Sequence, residues 1–224
     1  MTNEPLLIFL DANVLAKPLT RTLVLRCQTS GYTAAWSQAA EDEANRHLRP
    51  GQTHLDQVRG LADLLLSATG EVSGRFLGTP AGDRQILADS HMLGATFLVT
   101  EDVDDFVVED LAAAGMSAAN PDLFLAERTT VQAYQTALHD ITDGMSNPAR
   151  TPEQLHASIA RQHPRLFTRH ASLYDVTPQA SEHRRPAVVF RGTTCLRCLA
   201  TPSDPVGQEG LCSACTGRSE RSRP

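Results

Sequence analysis

No apolar run in the 224 residues approaches the roughly 20 that a membrane span requires, which excludes a transmembrane reading. Nor does a basic segment precede the short apolar run near the N-terminus, and Asp11 comes directly after that run. A signal peptide is therefore not expected, and a soluble, cytoplasmic protein is. The five cysteines lack the pattern of a disulfide framework. Four of them fall as two CxxC pairs near the C-terminus, which is the pattern of a metal site in a reducing compartment. The fifth, Cys27, ends an i, i+4 series with Leu19 and Leu23 and reads as a small buried hydrophobe. Aromatic residues are scarce at 5%, and Phe190 is the sole one near the CxxC pairs, so base stacking by that segment is not supported.

The rest of the composition is ordinary for a globular chain, 41% hydrophobic and 21% charged residues, at a length that gives one full domain and room for an appendage. The net charge of −6 conceals a split. Residues 1 to 149 carry 9 Lys+Arg against 20 Asp+Glu, whereas residues 150 to 224 carry 11 against 6. A basic tail behind an acidic front is compatible with a tail that meets a polyanion.

The stretch PLLIFLDANVL, residues 5 to 15, organises the rest. Its apolar run between Pro5 and Asp11 reads as a strand buried on both faces, and hence as a parallel one. Functional groups in open α/β sheets collect at the carboxyl ends of strands, which puts Asp11 where chemistry is expected; the plain alternative is that it caps the next helix. The pattern then predicts a helix over 17–29 closed by Gly31, a strand at YTAAW (32–36), a helix from an N-cap at Ser37 to Leu48, and another helix over 54–67. The glycine-rich stretch 70–82 reads as loop, Asp83 opens a helix closed by Gly94, and ATFLVT (95–100) is a second buried strand of the first kind. VVEDLAAAG, MSAAN and PDLFLAER come next as helix, strand and helical turn. This alternation predicts a doubly wound α/β domain with a parallel sheet over 1–127. Beyond it the expectations are a helical extension over 128–176, made of two helices broken at SNPARTP, a linker over 177–190, a cysteine module over 191–217 and a basic tail over 218–224.

Parallel strands could deliver Asp11, Asp83 and Asp102 to one edge. A fourth acid comes from the run Glu41, Asp42, Glu43. With a buried stripe on Ala40, Ala44 and Leu48, Asp42 points to solvent, while Glu41 and Glu43 flank the buried face on opposite sides; spacing does not choose between them. Taken singly, Asp83 could be an N-cap, Glu43 a solvated charge and Asp102 a turn former. Asp89 points to another helix face and reads as structural or as a solvent charge.

The segments IFLDANVL, WSQAAEDE, GDRQILADSHMLGATFLVTED and MSAANPDLFL together resemble the PIN-domain nucleases, and in particular their VapC-like toxin branch, over about residues 5 to 126. The helices to about residue 173 are also similar to the C-terminal part of some such proteins. The resemblance implies that Asp11, Glu43, Asp83 and Asp102 are catalytic and hold Mg²⁺ or Mn²⁺, with Asn13 and Thr100 in support. It selects Glu43 because the family's acid comes six residues after a serine at the helix start, here Ser37. Some relatives use an acid three residues beyond the last, so Asp105 competes with Asp102. Clustered anions are tolerated where a divalent cation neutralises them, Mg²⁺ and Mn²⁺ prefer hard oxygen ligands, and a metal-bound water can attack a phosphodiester. Endonucleolytic cleavage of single-stranded or looped RNA is the implied activity, with a cognate antitoxin and a homodimer as implied partners. A PIN domain followed by a zinc ribbon also resembles the architecture of the pre-ribosomal RNA endonuclease of archaea and eukaryotes, which makes processing of ribosomal or transfer RNA the variant. A non-catalytic RNA- or protein-binding scaffold is the reading of another class, and the presence of all four acids argues against it. Two rival motifs fail: Asn13 stands where the haloacid dehalogenase fold needs a second Asp, and the run from Asp102 lacks the Gly and terminal Glu of a calcium loop.

In TTCLRCLATPSDPVGQEGLCSACTGR, Cys195 and Cys198 pair with Cys212 and Cys215 across 13 residues. Four thiolates suit tetrahedral Zn²⁺, and a segment so short has too little core to fold without it. The module resembles a zinc ribbon. Arg184, Arg185, Arg191 and Arg197, with Arg218, Arg221 and Arg223, surround it and make a grip on an RNA backbone plausible; a protein-docking role is equally compatible.

Overall fold

The computed structural model describes residues 6–59, 66–146, 148–180 and 187–217. The central strand β1 (Leu6–Leu10) carries Ile8, Phe9 and Leu10 with no exposure at all, as a strand covered on both faces must. Asp11 ends it. The chain then makes a short helix α1 (Ala12–Leu15), breaks at Lys17, and restarts with Pro18 as the first residue of α2 (Pro18–Arg26), where its missing N–H costs nothing. A 3₁₀ turn over Cys27–Ser30 leads to Gly31, whose φ of +94° is the left-handed geometry that glycine adopts freely. Cys27 is fully buried, and burial pushes its thiol up to about 12.

β2 (Tyr32–Ser37) runs parallel to β1, with Ile8 beside Ala34. Ser37 caps α3 (Gln38–Arg46) by accepting from the Ala40 N–H at 3.3 Å. The helix expected over 54–67 is corrected by the structure. A single α-helical turn α4 (Leu55–Val58) passes into 3₁₀ geometry at Arg59, residues 60–65 lie outside the described residues, and Leu66–Ser67 form strand β3, parallel to Trp36–Ser37. The leucine-rich spacing read as one helical stripe thus includes a sheet edge. After the loop come α5 (Arg84–Leu93), closed by Gly94 at φ +73°, then β4 (Phe97–Val99), α6 (Val108–Ala114), β5 (Ser117–Ala119) and α7 (Pro121–Arg128).

Three helices, not two, come next: α8 (Val131–Asp143), α9 (Pro152–Ile159) with a full capping box on Thr151 and Gln154, and α10 (Pro164–Arg169). Pro164 makes the extra break, because the residue before a proline is pushed out of the helical region. Where the linker was expected to end, Phe190–Arg191 form β6, antiparallel to β5. A last turn α11 (Ser213–Thr216) carries Cys215.

The sheet order is β3-β2-β1-β4-β5-β6, parallel except for β6, with helices flanking it. The chain winds outward from β1 to β3, then returns to lay β4 against the other side of β1. This reversal opens a crevice at the carboxyl ends of β1 and β4, where open α/β sheets place their ligands. Tyr32, Phe97 and Phe124 pack beneath it, the Tyr32 and Phe124 rings edge to face at 5.2 Å. No described helix is long and apolar enough to cross a membrane.

Candidate acidic site and cysteine centre

Asp11 leaves β1 at the crevice and is 6% exposed. Its Oδ1 accepts from the Ala12 N–H at 2.6 Å, so it does cap α1. Its other oxygen does more, accepting from the Thr100 hydroxyl at 2.6 Å and from the Asn13 amide at 2.8 Å. The same amide nitrogen reaches Oδ2 of Asp102 at 3.0 Å and the Thr100 hydroxyl at 3.1 Å, while the Asn13 oxygen accepts from the Glu101 N–H. Asn13 therefore ties the end of β1 to the end of β4. The Asp102 N–H completes the circuit by donating to the Thr100 hydroxyl.

Burial pushes the Asp11 carboxyl up to about 7 against the Thr100 and Ala12 hydrogen bonds, and the charges of Asp83 and Glu43 add to the rise. Asp83 is raised by burial and then by Asp105, Glu43 and Asp102. It stands at the head of α5 without making a side-chain cap bond, so capping does not account for it. Asp105 is raised by its own burial and by Asp102 and Asp104, against the charge of Arg191. All the expected acids therefore share one electrostatic neighbourhood, Asp105 among them. Glu41 and Glu43 have different surroundings. Glu41 is buried at 2% exposure, accepts from the Trp36 indole at 2.9 Å and pairs with Arg59, whereas Glu43 lines the open groove beside Asn13 and Asp102. Asp89 is buried and accepts from the Gly70 N–H and the Gln85 amide, a structural role.

The groove has a volume of about 1080 Å³. Of the expected acids Glu43 and Asp102 line it, whereas Asp11, Asp83 and Asp105 do not; Lys17, Arg49, Arg161 and Arg165 line it too, Lys17 in a 3.0 Å pair with Glu101. Asp122, which the sequence reading missed, also faces it; burial raises its carboxyl to about 6 while the N–H groups of Leu166 and Arg165 pull it down. Its only signal in sequence was its place behind Asn120 and Pro121 at a helix start.

The cysteines are arranged differently. Among the described residues they are the group whose four ligand atoms all lie within 4.8 Å of one another, and all are free thiols. The sulfurs of Cys198 and Cys212 are 3.7 Å apart. A tetrahedron with arms of about 2.3 Å has an edge of about 3.8 Å, so the set could bind a metal such as zinc. The Cys212 N–H donates to the Cys195 sulfur at 3.4 Å, which links the two CxxC pairs. Arg191 and Arg197, expected in a basic grip on RNA, turn inward: Arg197 pairs with Glu127 at 2.9 Å and Arg191 binds backbone carbonyls. Arg184, Arg185 and the basic tail lie outside the described residues. Compared with protein-family models, with curated proteins and with solved structures, the chain finds no match.

Proposed function

We propose that the protein is a metal-dependent endoribonuclease of the PIN-domain kind, similar in its motifs to VapC-like toxins, acting on single-stranded or looped RNA. The observation that carries the reading is that Asn13 and Thr100 tie Asp11 to Asp102 at the switch point of the sheet, where burial and the charges of neighbouring acids raise Asp11, Asp83 and Asp105. Mutual repulsion of this kind disfavours the empty, ionised state. Carboxylate oxygens are the donors that Mg²⁺ or Mn²⁺ prefers, although among the described residues these acids do not draw together as the cysteine sulfurs do, so a cation would have to bring them closer; it would supply charge neutralisation and a water acidified toward neutral pH.

The chain's own contribution is orientation. Thr100 and the Ala12 N–H hold Asp11 in one rotamer, and Asn13 aligns Asp102 with it. Glu43 closes the groove side from α3, and Asp83 faces the cluster from the head of α5. Lys17, Arg49, Arg161 and Arg165 line the groove where phosphates would run, and a phosphate there would compete with the Lys17–Glu101 and Arg165–Glu209 pairs. Zinc at the cysteines has a structural role here. A homodimer and an antitoxin that covers the groove belong to the same proposal. The test is cleavage of a mixed RNA pool by protein refolded free of any copurified partner, with Mg²⁺ or Mn²⁺, beside Asp11→Asn and an EDTA control. Cutting by the wild type alone is expected. Absence of cutting under every metal, or cutting that survives Asp11→Asn, would sink the reading.

A further inference from the structure

The cysteine module and the acidic edge are connected by one side chain. Arg191 lies on β6, in register with Ala118 of β5, and its Nη1 donates to the carbonyls of Asp104 at 3.1 Å and Phe106 at 3.0 Å. Those carbonyls belong to the 3₁₀ turn Val103–Asp105 and the residue after it, with Asp102 just ahead of the turn and Asp105 inside it. The turn holds itself poorly. Its own backbone bonds are Asp105 N–H to Asp102 at 3.0 Å and Phe106 N–H to Val103 at a long 3.4 Å. A guanidinium on an edge strand would ordinarily point to water; this one is spent on two carbonyls of an acidic turn.

Arg191 is in turn fixed by the residues after it. Gly192 adopts φ +138°, and a Cβ there would stand 2.2 Å from the Ser117 hydroxyl oxygen, so the backbone lies flat against Ser117. That hydroxyl accepts from the N–H groups of both Thr193 and Thr194, and the next residue is Cys195. Beyond it, Arg197 clamps Glu127 through Nε and Nη2 and reaches the Cys215 carbonyl, and Arg128 binds the carbonyls of Leu196 and Arg197. An unbroken path of hydrogen bonds and chain runs from the cysteine ligands to the turn that bears the last acids.

We propose that Arg191 is a positioning residue for the acidic turn and that the cysteine module acts through it, so that metal loading at Cys195, Cys198, Cys212 and Cys215 sets the geometry of Asp102 and Asp105. This rests on the reading of the acids as the working site and on the fit of four thiolates to zinc. It makes the module a regulator of the site rather than a grip on RNA.

The test uses the full chain loaded with zinc, as wild type, Arg191→Ala, Arg191→Lys and Cys198→Ser, with amide hydrogen exchange over residues 102–106 and calorimetric Mn²⁺ binding as readouts. Loss of two charge-assisted bonds in Arg191→Ala should speed exchange of the turn about tenfold and weaken Mn²⁺ binding about five- to tenfold, with zinc content and exchange of β1 unchanged. Arg191→Lys, which can still donate to both carbonyls, should fall between the two and keeps the test alive if the alanine variant misfolds. Cys198→Ser should loosen the turn together with the module. Unchanged exchange at 102–106 in Arg191→Ala, or in a Cys198→Ser protein whose module has come loose, overturns the proposal. Faster exchange of the turn in a protein whose wild type binds no Mn²⁺ leaves the strap standing and overturns the reading of the acids as a metal site.

Discussion

The two clusters of ligating side chains in this protein are built by opposite means. The cysteine centre is local: its four ligands come from residues 195–215, and tight turns bring their sulfurs within 4.8 Å. Leu199, at φ +61°, shows how far the backbone bends to do so. The acidic site is topological. Its members come from the ends of β1 and β4, from α3 and from the head of α5, and Asp11 and Asp102 share a partner in Asn13 because β4 lies directly beside β1. Neutral side chains, Asn13 and Thr100, stand between the charges there. A local site should collapse by itself when a ligand is lost; a topological one should survive loss of a ligand and lose only its chemistry.

The largest effect that this contrast predicts is at the knuckle. Cys212→Ser removes a buried ligand from a module whose own small core is Cys195, Cys212 and Cys215 with Val206 and Leu211. Structural zinc contributes on the order of 10 kcal/mol in such modules, so the variant should hold no zinc and residues 195–217 should become protease-sensitive while the body stays folded. Metal analysis with limited proteolysis checks this. A zinc-loaded, resistant Cys212→Ser protein would break the contrast.

At the acidic site the prediction concerns pH. The Asp11 carboxyl lies at about 7 in the folded protein, above its ordinary 3.8, so its stabilising contribution is complete below about pH 3.8 and is lost as pH rises through 7. Above pH 7 the buried charge destabilises the metal-free protein by on the order of a few kcal/mol. Asp11→Asn should therefore be more stable than wild type at pH 8, with the gap closing toward pH 5, and Mn²⁺ should narrow it at pH 8. His163 and His170 have the opposite sign. Burial holds both down at about 4, below their ordinary 6.5, so their contribution is complete above pH 6.5 and is lost as pH falls toward 4. Because both proteins carry these histidines, the difference between their denaturation midpoints isolates Asp11. A gap independent of pH would show that Asp11 is not held as a strained carboxylate.

Much of this arrangement was legible because it rests on local signals. The apolar run before Asp11, the cap at Ser37, the helix start at Asp83 and the glycine stops at Gly31 and Gly94 are each written in a few adjacent residues. The illegible part depends on partners far along the chain. Helical spacing does not distinguish Glu41 from Glu43, since both flank the buried stripe of α3, and only the resemblance chose Glu43; that Glu41 is held by Trp36 and Arg59 could not be read from the spacing. β3 is two residues at the end of a leucine-rich stretch, and periodicity over so short a segment cannot separate strand from helix. Arg191 reads as one more charge in a basic segment until β6 is seen to pair with β5.

The glutamates give the next effect in size. Glu41→Gln leaves the Arg59 guanidinium without its counter-charge and weakens the Trp36 bond, and should cost about 2 kcal/mol, less than a fully buried pair because Arg59 is partly exposed. Glu43→Gln, on the groove, should change stability by no more than about 0.5 kcal/mol while weakening Mn²⁺ binding by at least about tenfold. Urea denaturation and calorimetry on the two variants separate the roles. If Glu43→Gln unfolds as readily as Glu41→Gln, the groove acid is structural and the topological site loses a member.

The smallest effect is expected at Asn13, and it sharpens the contrast most finely. Its amide nitrogen lies within hydrogen-bond distance of Asp11, Thr100 and Asp102, three acceptors for two hydrogens, so it offsets repulsion between the two carboxylates. The cysteine centre has no such spacer: the sulfurs of Cys198 and Cys212 stand 3.7 Å apart with no side chain between them. Asn13→Ala should therefore cost about 1 kcal/mol without metal, the net worth of one such hydrogen-bonded group. Thr100 and the Ala12 N–H still hold Asp11 in the variant, whereas Asp102 loses its orienting partner, so Mn²⁺ affinity should fall, but by less than for Glu43→Gln. Thermal denaturation with and without Mn²⁺ reads both quantities. A loss of stability with Mn²⁺ affinity unchanged would mean that the amide only keeps the acids apart, and that Asp11 and Asp102 reach a cation without its help.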